Sequence, residues 1–525
     1  MTEERTSDPA PGASSGGLSR SAVVILGLVI LASGLLIRGW KIESKTPFVW
    51  DHGIYWLEAQ WYTSAAQAWK GSLDRMLEER RTGEDLWKRD QEIQRIRDET
   101  TNYMPWAGRP IQPLLMAAGN LIEGDSKLYS GVVVAGVSAV LAALAVMLFA
   151  WRAYGRQAAV IGGLVAVFSG YSIYYSMQAW LESFMALTFI PIMWFWYRSL
   201  DEDAEHPLGL ITVAGFFFGC AFVVSMRVLT MLVLLPILEI IIWWTREPRR
   251  PWTLPKRGLC FAGAAAIMPI LFEQPYHLMY LLGQFLGFDV RYPSYWMQAA
   301  ALISYGATEG GMTPEVRIGN LPSYFYFLAR MDLPVLILGL AGTVQALKRR
   351  TVADGVLLSW FWIGLLYTTW TNPRARYLTL LTPALYLLIA GLFAPGGWLA
   401  TKYRATDFRR VRMSPAIVVA VVVVAAGLYY RWTAEAATRT CYADAVAFMD
   451  AHGGRKHLST AMEISMVYAG EENVYPPGLG VTPPQSIEEL RALYDQGWRY
   501  ALVDWLRFVY RQWIRNPAVN VPRET

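Results

Sequence analysis

The chain has 525 residues, of which 54% are hydrophobic and only 17% are charged. Ordinary soluble domains carry about 25% charged residues, so this composition argues against a soluble globular protein and favours one surrounded by lipid. The formal net charge is +5. Much of that excess lies in short loops between apolar runs and gives no indication of a nucleic-acid partner.

The first apolar run, Ser21–Ile37, contains no charged residue and follows a tail rich in Ser, Gly and Pro. It fits either a signal peptide or a first membrane helix. No small-residue cleavage site follows it, and the chain continues with Arg38-Gly39-Trp40-Lys41, a basic and aromatic flank of the kind that anchors a helix end at the interface. We therefore predict a retained membrane helix after a disordered cytoplasmic tail at residues 1–20.

Ten further apolar runs follow along the chain. They lie near 127–150, 157–173, 181–197, 208–225, 228–244, 258–272, 333–347, 355–370, 377–394 and 415–431. Several are shorter than the roughly 20 residues that cross a bilayer, so their boundaries are soft by several residues. With the first run they predict an α-helical multi-pass membrane protein of about eleven transmembrane helices, and a transmembrane domain over residues 21–432.

The orientation is predicted from the Lys and Arg content of the short loops. With a cytoplasmic N-terminus, the inside loops are Trp151–Gln157, Tyr197–His206, Thr245–Arg257, Lys348–Gly355 and Thr401–Met413, and all but the acidic loop 197–206 are basic. This arrangement places segments 40–126, 273–332 and 433–525 outside the cytoplasm. The C-terminus is then extracytoplasmic.

Two acidic residues stand where predicted outer segments meet the membrane. Asp51 lies among aromatic residues in Phe48-Val49-Trp50-Asp51-His52-Gly53-Ile54-Tyr55-Trp56, and a carboxylate in such surroundings can raise its pKa, bind a metal or take a proton. Glu182 begins the predicted helix after the second outer loop, where the helix N-terminus favours a carboxylate. The plain alternatives are a solvated acid for Asp51 and a simple helix-end charge for Glu182.

Four arginines also fall on the predicted outer side. Arg109 lies in a turn with Pro110, Arg227 lies between two apolar runs, and the short connection before Tyr377 holds Arg374 and Arg376. Arginines on the outer side are unexpected, because Lys and Arg are normally enriched in cytoplasmic loops. Binding of an anionic ligand at the outer membrane face would explain them, and so would pairing with phospholipid head groups.

In their order along the chain, these motifs resemble those of the C-type (GT-C) membrane glycosyltransferases. The resemblance rests on Asp51-His52-Gly53-Ile54-Tyr55, Gly108-Arg109-Pro110, the Tyr-Tyr-Ser segment leading to Glu182, and Arg376-Tyr377 with Pro383. It covers about residues 20–395. Within that family the chain is most similar to the branch of dolichyl-phosphate-mannose protein mannosyltransferases and bacterial lipid A aminoarabinose transferases.

The resemblance implies an enzyme of a bacterial or archaeal cell membrane that transfers a hexosyl or pentosyl group from an outward-facing polyprenyl-phosphate donor. The acceptor, whether glycan, lipid or protein, is not identified. By the same resemblance, Asp51 and Glu182 are the catalytic acids, with Asp51 deprotonating the acceptor. The predicted substrate-binding residues are His52, Tyr55, Arg109, Arg227, Arg374, Arg376 and Tyr377, and of these Arg109, Arg376 and Tyr377 are similar to the family's motif residues.

The chain departs from the family pattern in two places. The family commonly has Asp-Glu where this chain has Asp51-His52, and Lys-Pro-Pro where it has Arg109-Pro110-Ile111. An imidazole at position 52 can ligate a metal but cannot supply the missing negative charge, so a divalent metal held by Asp51, Glu182 and His52 stays an open alternative. Arg109 can form bidentate hydrogen bonds to a phosphate, which Lys cannot.

After residue 432 the pattern changes to that of a small α/β domain over 433–525. An amphipathic stretch at 434–451, short strands at 457–462 and 500–503, and a helix at 487–496 are predicted there. In the first outer segment, the charged stretch 70–99 fits a helix along the membrane surface or a solvated hairpin. The later part of segment 273–332 is polar and fits either a cover over the acceptor site or a plain connection.

The main alternative function is that of a lipid or solute transporter. A third hypothesis is a non-catalytic membrane scaffold whose glycosyltransferase motifs have decayed. A transporter favours internal repeats, or charged residues and broken helices near the bilayer midplane. No repeat is evident, and the notable charges cluster at the outer edge, although Glu239 falls inside a predicted helix. The presence of both Asp51 and Glu182 argues against a decayed site.

Overall fold

The computed structural model describes residues 18–42, 50–82, 111–123, 129–200, 204–245, 253–285, 319–369, 375–399, 415–437, 442–459, 462–469, 473–475 and 486–502. Helices dominate these residues. They are α1 Arg20–Gly39, α2 Trp50–Thr82, α3 Ile111–Glu123, α4 Ser130–Tyr154, α5 Arg156–Phe168, α6 Gly170–Ser176, α7 Glu182–Arg198, α8 Pro207–Val224, α9 Thr230–Thr245, α10 Thr253–Phe285, α11 Leu321–Arg349, α12 Val352–Thr368, α13 Thr382–Gly391, α14 Pro415–Ala437, α15 Tyr442–Ala451, α16 Met462–Ala469 and α17 Ile487–Asp495. Two 3-10 turns, Met226–Leu229 and Ala375–Leu380, connect some of them.

Six of the described helices contain a stretch long and apolar enough to cross a membrane. These stretches are Arg20–Gly39, Ser130–Tyr154, Pro207–Val224, Leu254–Gln274, Leu321–Arg349 and Pro415–Thr433. The bent pair α5 and α6 adds a seventh if it forms one span, while α12 and α13 are apolar but shorter. The prediction of a helical, multi-pass membrane protein is confirmed, and the predicted number of eleven spans stays a prediction.

Close helix contacts in the bundle depend on glycine. On α8, a Cβ added at Gly215 would lie 2.2 Å from the Phe261 carbonyl oxygen, and one added at Gly219 would lie 2.5 Å from the Ala265 carbonyl oxygen. These two glycines, one turn apart, let the backbones of α8 and α10 touch. Lipid provides no hydrophobic drive between helices, so such backbone contact is a main source of their association.

A buried ion pair closes the end of the bundle that holds the α11–α12 connection. Arg349 Nε donates to Asp354 Oδ2 at 2.7 Å, and its Nη2 donates to Oδ1. The Tyr154 hydroxyl also donates to Asp354 Oδ1, at 2.7 Å. Thr351 and Asp354 form a capping box that starts α12. Asp354 is fully buried and thereby ties α4, α11 and α12 together.

Glu239, the acid inside a predicted helix, has strong partners at this same end of the bundle. Arg257 donates to both of its carboxylate oxygens, at 2.6 and 3.0 Å, and Trp196 Nε1 donates to Oε1 at 2.7 Å. Arg257 also bonds Ser199. Glu239 therefore joins α7, α9 and α10, which accounts for its place in an apolar run.

The second outer loop, predicted over residues 171–182, is helical in its first part. Helix α5 ends at Phe168 and α6 resumes at an angle of 50°, so that residues 170–176 are helical. Gly170 permits the bend, because a Cβ there would lie 2.3 Å from the Met331 carbonyl oxygen and 2.4 Å from the Tyr430 ring. Hydrogen bonds and packing from neighbouring helices stabilise a turn of helix that the polar sequence alone did not predict.

One interpretation near the N-terminus also needs correction. Arg38 is not an interface anchor: it is 2% exposed and donates to Ser176 Oγ at 2.6 Å and to Ser172 Oγ at 3.0 Å. Those hydroxyls replace water around the guanidinium. Further along, Asp51 and His52 lie in the first turn of α2.

The residues after 441 contain a three-stranded parallel sheet in the order β2-β1-β3. Its strands are β1 His457–Ser459, β2 Val474–Tyr475 and β3 Tyr500–Leu502. The strands predicted at 457–462 and 500–503 and the helix predicted at 487–496 are thus present, each slightly shorter. Helix α16 packs against α2, so this part of the chain lies beside the helix that begins at Trp50. Its extent as a separate domain over 433–525 stays a prediction.

Candidate functional site

Four short segments meet at the end of the bundle opposite the Arg349–Asp354 pair. They are helix α6, the first turn of α7, the Met226–Leu229 turn and the Ala375–Leu380 turn. The connection from α6 to α7 is held from outside, because Gln112 Nε2 of α3 donates to the Ala179 carbonyl at 2.7 Å. Each segment brings one or more polar or aromatic side chains to the same place.

Glu182 lies at the centre of this meeting point. It is the first residue of α7, so the helix N-terminus favours its negative charge. The residue is fully buried, and its Oε1 accepts from Arg227 Nη1 at 2.7 Å. Its Oε2 is also buried and has no hydrogen-bond partner among the described residues. Glu182 therefore carries both a charge partner and an acceptor atom available to a ligand or to water.

Arg227 links Glu182 to the Arg-Tyr motif. Helix α8 ends at Ser225, which is extended, and the following 3-10 turn directs Arg227 inward. Its guanidinium lies 4.9 Å from the centre of the Tyr377 ring, while one nitrogen binds Glu182. The arginine side chain is 14% exposed. The structure thus brings together three residues that the sequence singled out from separate loops.

Arg376 stands beside this group. Its guanidinium lies 5.3 Å from the centre of the Trp180 ring, in the connection before Glu182. Trp180 Nε1 in turn donates to Gln178 Oε1 at 2.5 Å, which orients the ring. Two arginines are therefore held over aromatic rings a few residues from a buried carboxylate. Cations on aromatic faces keep their charge while being partly desolvated, which suits the binding of an anion.

A small cavity of about 30 Å³ extends from Glu182 into the bundle. Its polar lining comes from tyrosines, serines and threonines of α6, α7, α13 and the Ala375–Leu380 turn, and its apolar lining comes mainly from α4. The polar members are Tyr171, Ser172, Tyr175, Glu182, Ser183, Thr379, Thr382 and Tyr386. A space of that size with several polar groups has room for about two water molecules beside the buried Glu182 carboxylate.

The other predicted site residues divide into three groups. Tyr55 is described and is buried in α2, 4% exposed. Asp51 and His52 are placed on the backbone of α2, but their side chains lie outside what the structure describes, and Arg109 and Arg374 lie outside the described residues altogether. The roles assigned to all of the predicted site residues, those that meet at Glu182 included, stay predictions.

The metal alternative also involves Asp51 and His52, whose side chains lie outside the described part of the structure, so it stays a prediction. Arg227 already offsets the carboxylate charge and occupies Oε1, so that only Oε2 remains for a cation. Among the described residues, no group of three or more His, Cys, Asp or Glu side chains is arranged to hold a metal ion. The described part of the site is better suited to an anion, which its two arginines attract.

The sequence did not predict the part that four residues play behind the site: Arg38, Ser169, Tyr171 and Asp332. Tyr171 donates to the Ala375 carbonyl at 3.0 Å, Ser169 donates to Asp332 Oδ2 at 2.5 Å, and Arg38 bonds two serines of α6. Asp332 is 2% exposed, although the sequence analysis assigned it to the last position of an outer segment. The one available signal was an acid directly before the Leu-Pro start of an apolar run, which is typical of a helix cap.

The fold is similar to that of ArnT from Cupriavidus metallidurans. Its crystal structure bound to undecaprenyl phosphate matches with a TM-score of 0.58 at 13% identity, covering 94% of this chain and 92% of that one. The apo structure of the same protein matches with a TM-score of 0.56 at 13% identity, covering 94% and 91%. The resemblance to C-type membrane glycosyltransferases is confirmed at the level of the fold. No protein-family profile and no curated protein sequence matches the chain.

Proposed function

We propose that this chain, which has the fold of the C-type membrane glycosyltransferases, transfers a sugar from a polyprenyl-phosphate donor to an acceptor on the extracytoplasmic side of a cell membrane. One observation carries the proposal: Glu182, Arg227, Tyr377 and Arg376 converge at one end of a bundle whose fold matches that of ArnT. The N-terminus is then cytoplasmic and the residues after 441 are extracytoplasmic.

The arginines suit the phosphate of such a donor. Arg227 and Arg376 lie on aromatic faces near the end of the bundle, where a lipid phosphate would sit while its chain stays among the membrane helices. As the bond from sugar to phosphate breaks, negative charge grows on the leaving phosphate, and fixed guanidinium groups stabilise it. In this proposal Arg109 and Arg374, from neighbouring outer connections, add to the same anion site.

The two carboxylates, Asp51 and Glu182, would have different roles. Asp51, at the start of α2, would take the proton from the acceptor nucleophile. Glu182 would hold Arg227 in place through Oε1 and keep Oε2 for a hydroxyl of the substrate. His52, next to Asp51, and Tyr55, one helical turn further on, would contact the substrate from α2. General bases typically contribute about 10²–10⁴ in rate.

The test is to incubate the purified protein with a panel of polyprenyl-phosphate sugars, together with a detergent extract of cell membranes as the source of acceptor, and to measure release of polyprenyl phosphate. Asp51→Asn should fold, bind the donor nearly normally and lose about 100-fold or more in transfer rate. Asp74→Asn, an exposed acid on the same helix, is the matched control and should keep the wild-type rate. Near-normal turnover by a folded Asp51→Asn protein would exclude Asp51 as the base.

Donor binding is tested separately with the arginines. Arg109→Ala and Arg376→Ala should each weaken donor affinity by about 1.5–3 kcal/mol, the range for hydrogen bonds to charged groups. Arg330→Ala, an exposed arginine on α11, is the control and should leave affinity unchanged. Unchanged donor affinity in both Arg109→Ala and Arg376→Ala would exclude the proposed phosphate site.

One observation favours the transporter alternative. The α5–α6 helix is broken at Ser169 beside the buried Asp332, and broken helices with buried charges are typical of transporters. The two functions differ in their product. A transporter moves an intact lipid or solute across the membrane, whereas the proposed enzyme releases polyprenyl phosphate, so the same panel distinguishes them.

A further inference from the structure

Ser169 and Asp332 form a buried polar junction outside the candidate site. The Ser169 hydroxyl donates to Asp332 Oδ2 at 2.5 Å and accepts from the Tyr386 hydroxyl at 2.8 Å. Its oxygen also faces the Ser172 amide at 3.4 Å, as the cap of α6. Asp332 Oδ1 accepts from the Val335 amide at 3.4 Å. One hydroxyl thus ties α6, α11 and α13 together where α5 ends.

Capping of α11 accounts for only half of these contacts. The helix is interrupted at Asp332, whose φ of −163° and ψ of 66° are not helical, and Pro334 follows in the first turn of the resumed helix. An acid in this place is a normal cap, which explains the bond from Val335 to Oδ1. It does not explain why Oδ2 binds Ser169, a residue of another helix.

A second set of hydrogen bonds continues from α6 to the Ala375–Leu380 turn. Two residues after Ser169, the Tyr171 hydroxyl lies 3.0 Å from the Ala375 carbonyl oxygen and 2.7 Å from Thr379 Oγ1, so its one proton is directed at these two acceptors. Thr379 Oγ1 donates to the Arg376 carbonyl at 2.8 Å. Tyr171 therefore contacts the carbonyl of the residue before Arg376 directly and the Arg376 carbonyl through Thr379. The position of the Ala375–Leu380 turn therefore depends on the position of the start of α6.

We propose that Asp332 and Tyr171 are positioning residues for the candidate site. Asp332 fixes Ser169 and with it the start of α6, and Tyr171 transfers that position to the turn that carries Arg376 and Tyr377. The phosphate-binding part of this inference rests on the proposed function. The ordering of the turn does not, because it depends only on hydrogen bonds within the chain.

The geometry explains why the turn needs to be fixed. Arg376 is placed over the Trp180 ring at 5.3 Å, and the Tyr377 ring is placed under Arg227 at 4.9 Å. A shift of the turn moves one guanidinium and the aromatic support of the other together. Misplacement of binding groups by about 1 Å is enough to weaken a preorganised site substantially.

The first test needs no ligand and measures amide hydrogen exchange of residues 375–380 in the detergent-solubilised protein. Tyr171→Phe and Asp332→Asn should both raise exchange in that turn, and leave exchange in α4 at the wild-type level. Tyr326→Phe, a tyrosine of α11 with 58% exposure, is the matched control and should change neither. Wild-type exchange at 375–380 in both variants would overturn the proposal.

The second test is a double-mutant cycle read out as affinity for undecaprenyl phosphate. Tyr171→Phe should weaken binding about 3- to 10-fold, as expected for the loss of one hydrogen bond. Its effect should be clearly smaller when Arg376 is already Ala, because only the contact between the Tyr377 ring and Arg227 then remains to be disturbed. An undiminished effect of Tyr171→Phe in the Arg376→Ala protein would show that Tyr171 does not act through Arg376. If the wild-type protein does not bind undecaprenyl phosphate, the proposed function fails, and the exchange experiment still decides the positioning role.

Discussion

Replacing Arg227 by Met should destabilise the protein far more than replacing Glu182 by Gln. The two side chains form one ion pair at 2.7 Å, but their exposures differ: 14% for Arg227 and 1% for Glu182. Arg227→Met leaves a fully buried carboxylate without its charge partner. Breaking a buried pair in this way costs about 3–5 kcal/mol.

Glu182→Gln removes the charge and keeps the shape. The amide oxygen can still accept from Arg227, so a charge-assisted hydrogen bond becomes an ordinary one at a cost of about 1 kcal/mol. The guanidinium keeps its contact with the Tyr377 ring and its partial exposure to water. In the double variant no buried carboxylate is left without a partner. We expect its loss in free energy of unfolding to be smaller than the sum of the two single losses by about 2 kcal/mol.

The assay is equilibrium unfolding in mixed SDS and non-ionic detergent micelles, followed by circular dichroism. Arg330→Met, the exposed arginine of α11, is the control and should lie within about 0.5 kcal/mol of wild type. Additive costs of the two single substitutions, or a cost below about 1 kcal/mol for Arg227→Met, would refute the argument that this pair is buried and coupled.

The remaining predictions concern other parts of the chain. Asp354→Asn should cost about 3–5 kcal/mol in the same unfolding assay, because both buried carboxylate oxygens accept hydrogen bonds, from Arg349, Tyr154 and Thr351, and the amide NH₂ that replaces one oxygen cannot accept any. Asp450→Asn, in an exposed pair, should cost under about 1 kcal/mol. Gly219→Leu should separate α8 from α10 and lower the melting temperature by several degrees more than Gly209→Leu, whose added Cβ would have no contact closer than 3.6 Å. Burial lowers the pKa of His457, so the unfolded chain binds a proton more readily than the folded one as pH falls. Proteolysis of residues 442–502 should therefore be faster at pH 5 than at pH 8, and this difference should shrink in His457→Gln.

The sequence by itself determined the helical membrane architecture. Every backbone polar group must be bonded within its own segment in lipid, so a local apolar run of sufficient length is enough to predict a helix. The positions of Glu182 at a helix start and of Arg227 between two helices follow from the same runs. The order of the motifs also led to the fold, which agrees with that of ArnT.

Only the tertiary structure decided which polar residues meet. Arg227 binds a residue 45 positions away, and Ser169 binds one 163 positions away. A local pattern contains no information about such partners, which is why Arg38 was expected at the interface and the helical residues 171–176 were expected at the start of a loop. Polar groups become buried in the bundle only where another helix supplies their hydrogen bonds. That pairing is a property of the packed helices, and it is what brings Glu182, Arg227 and Tyr377 into one site.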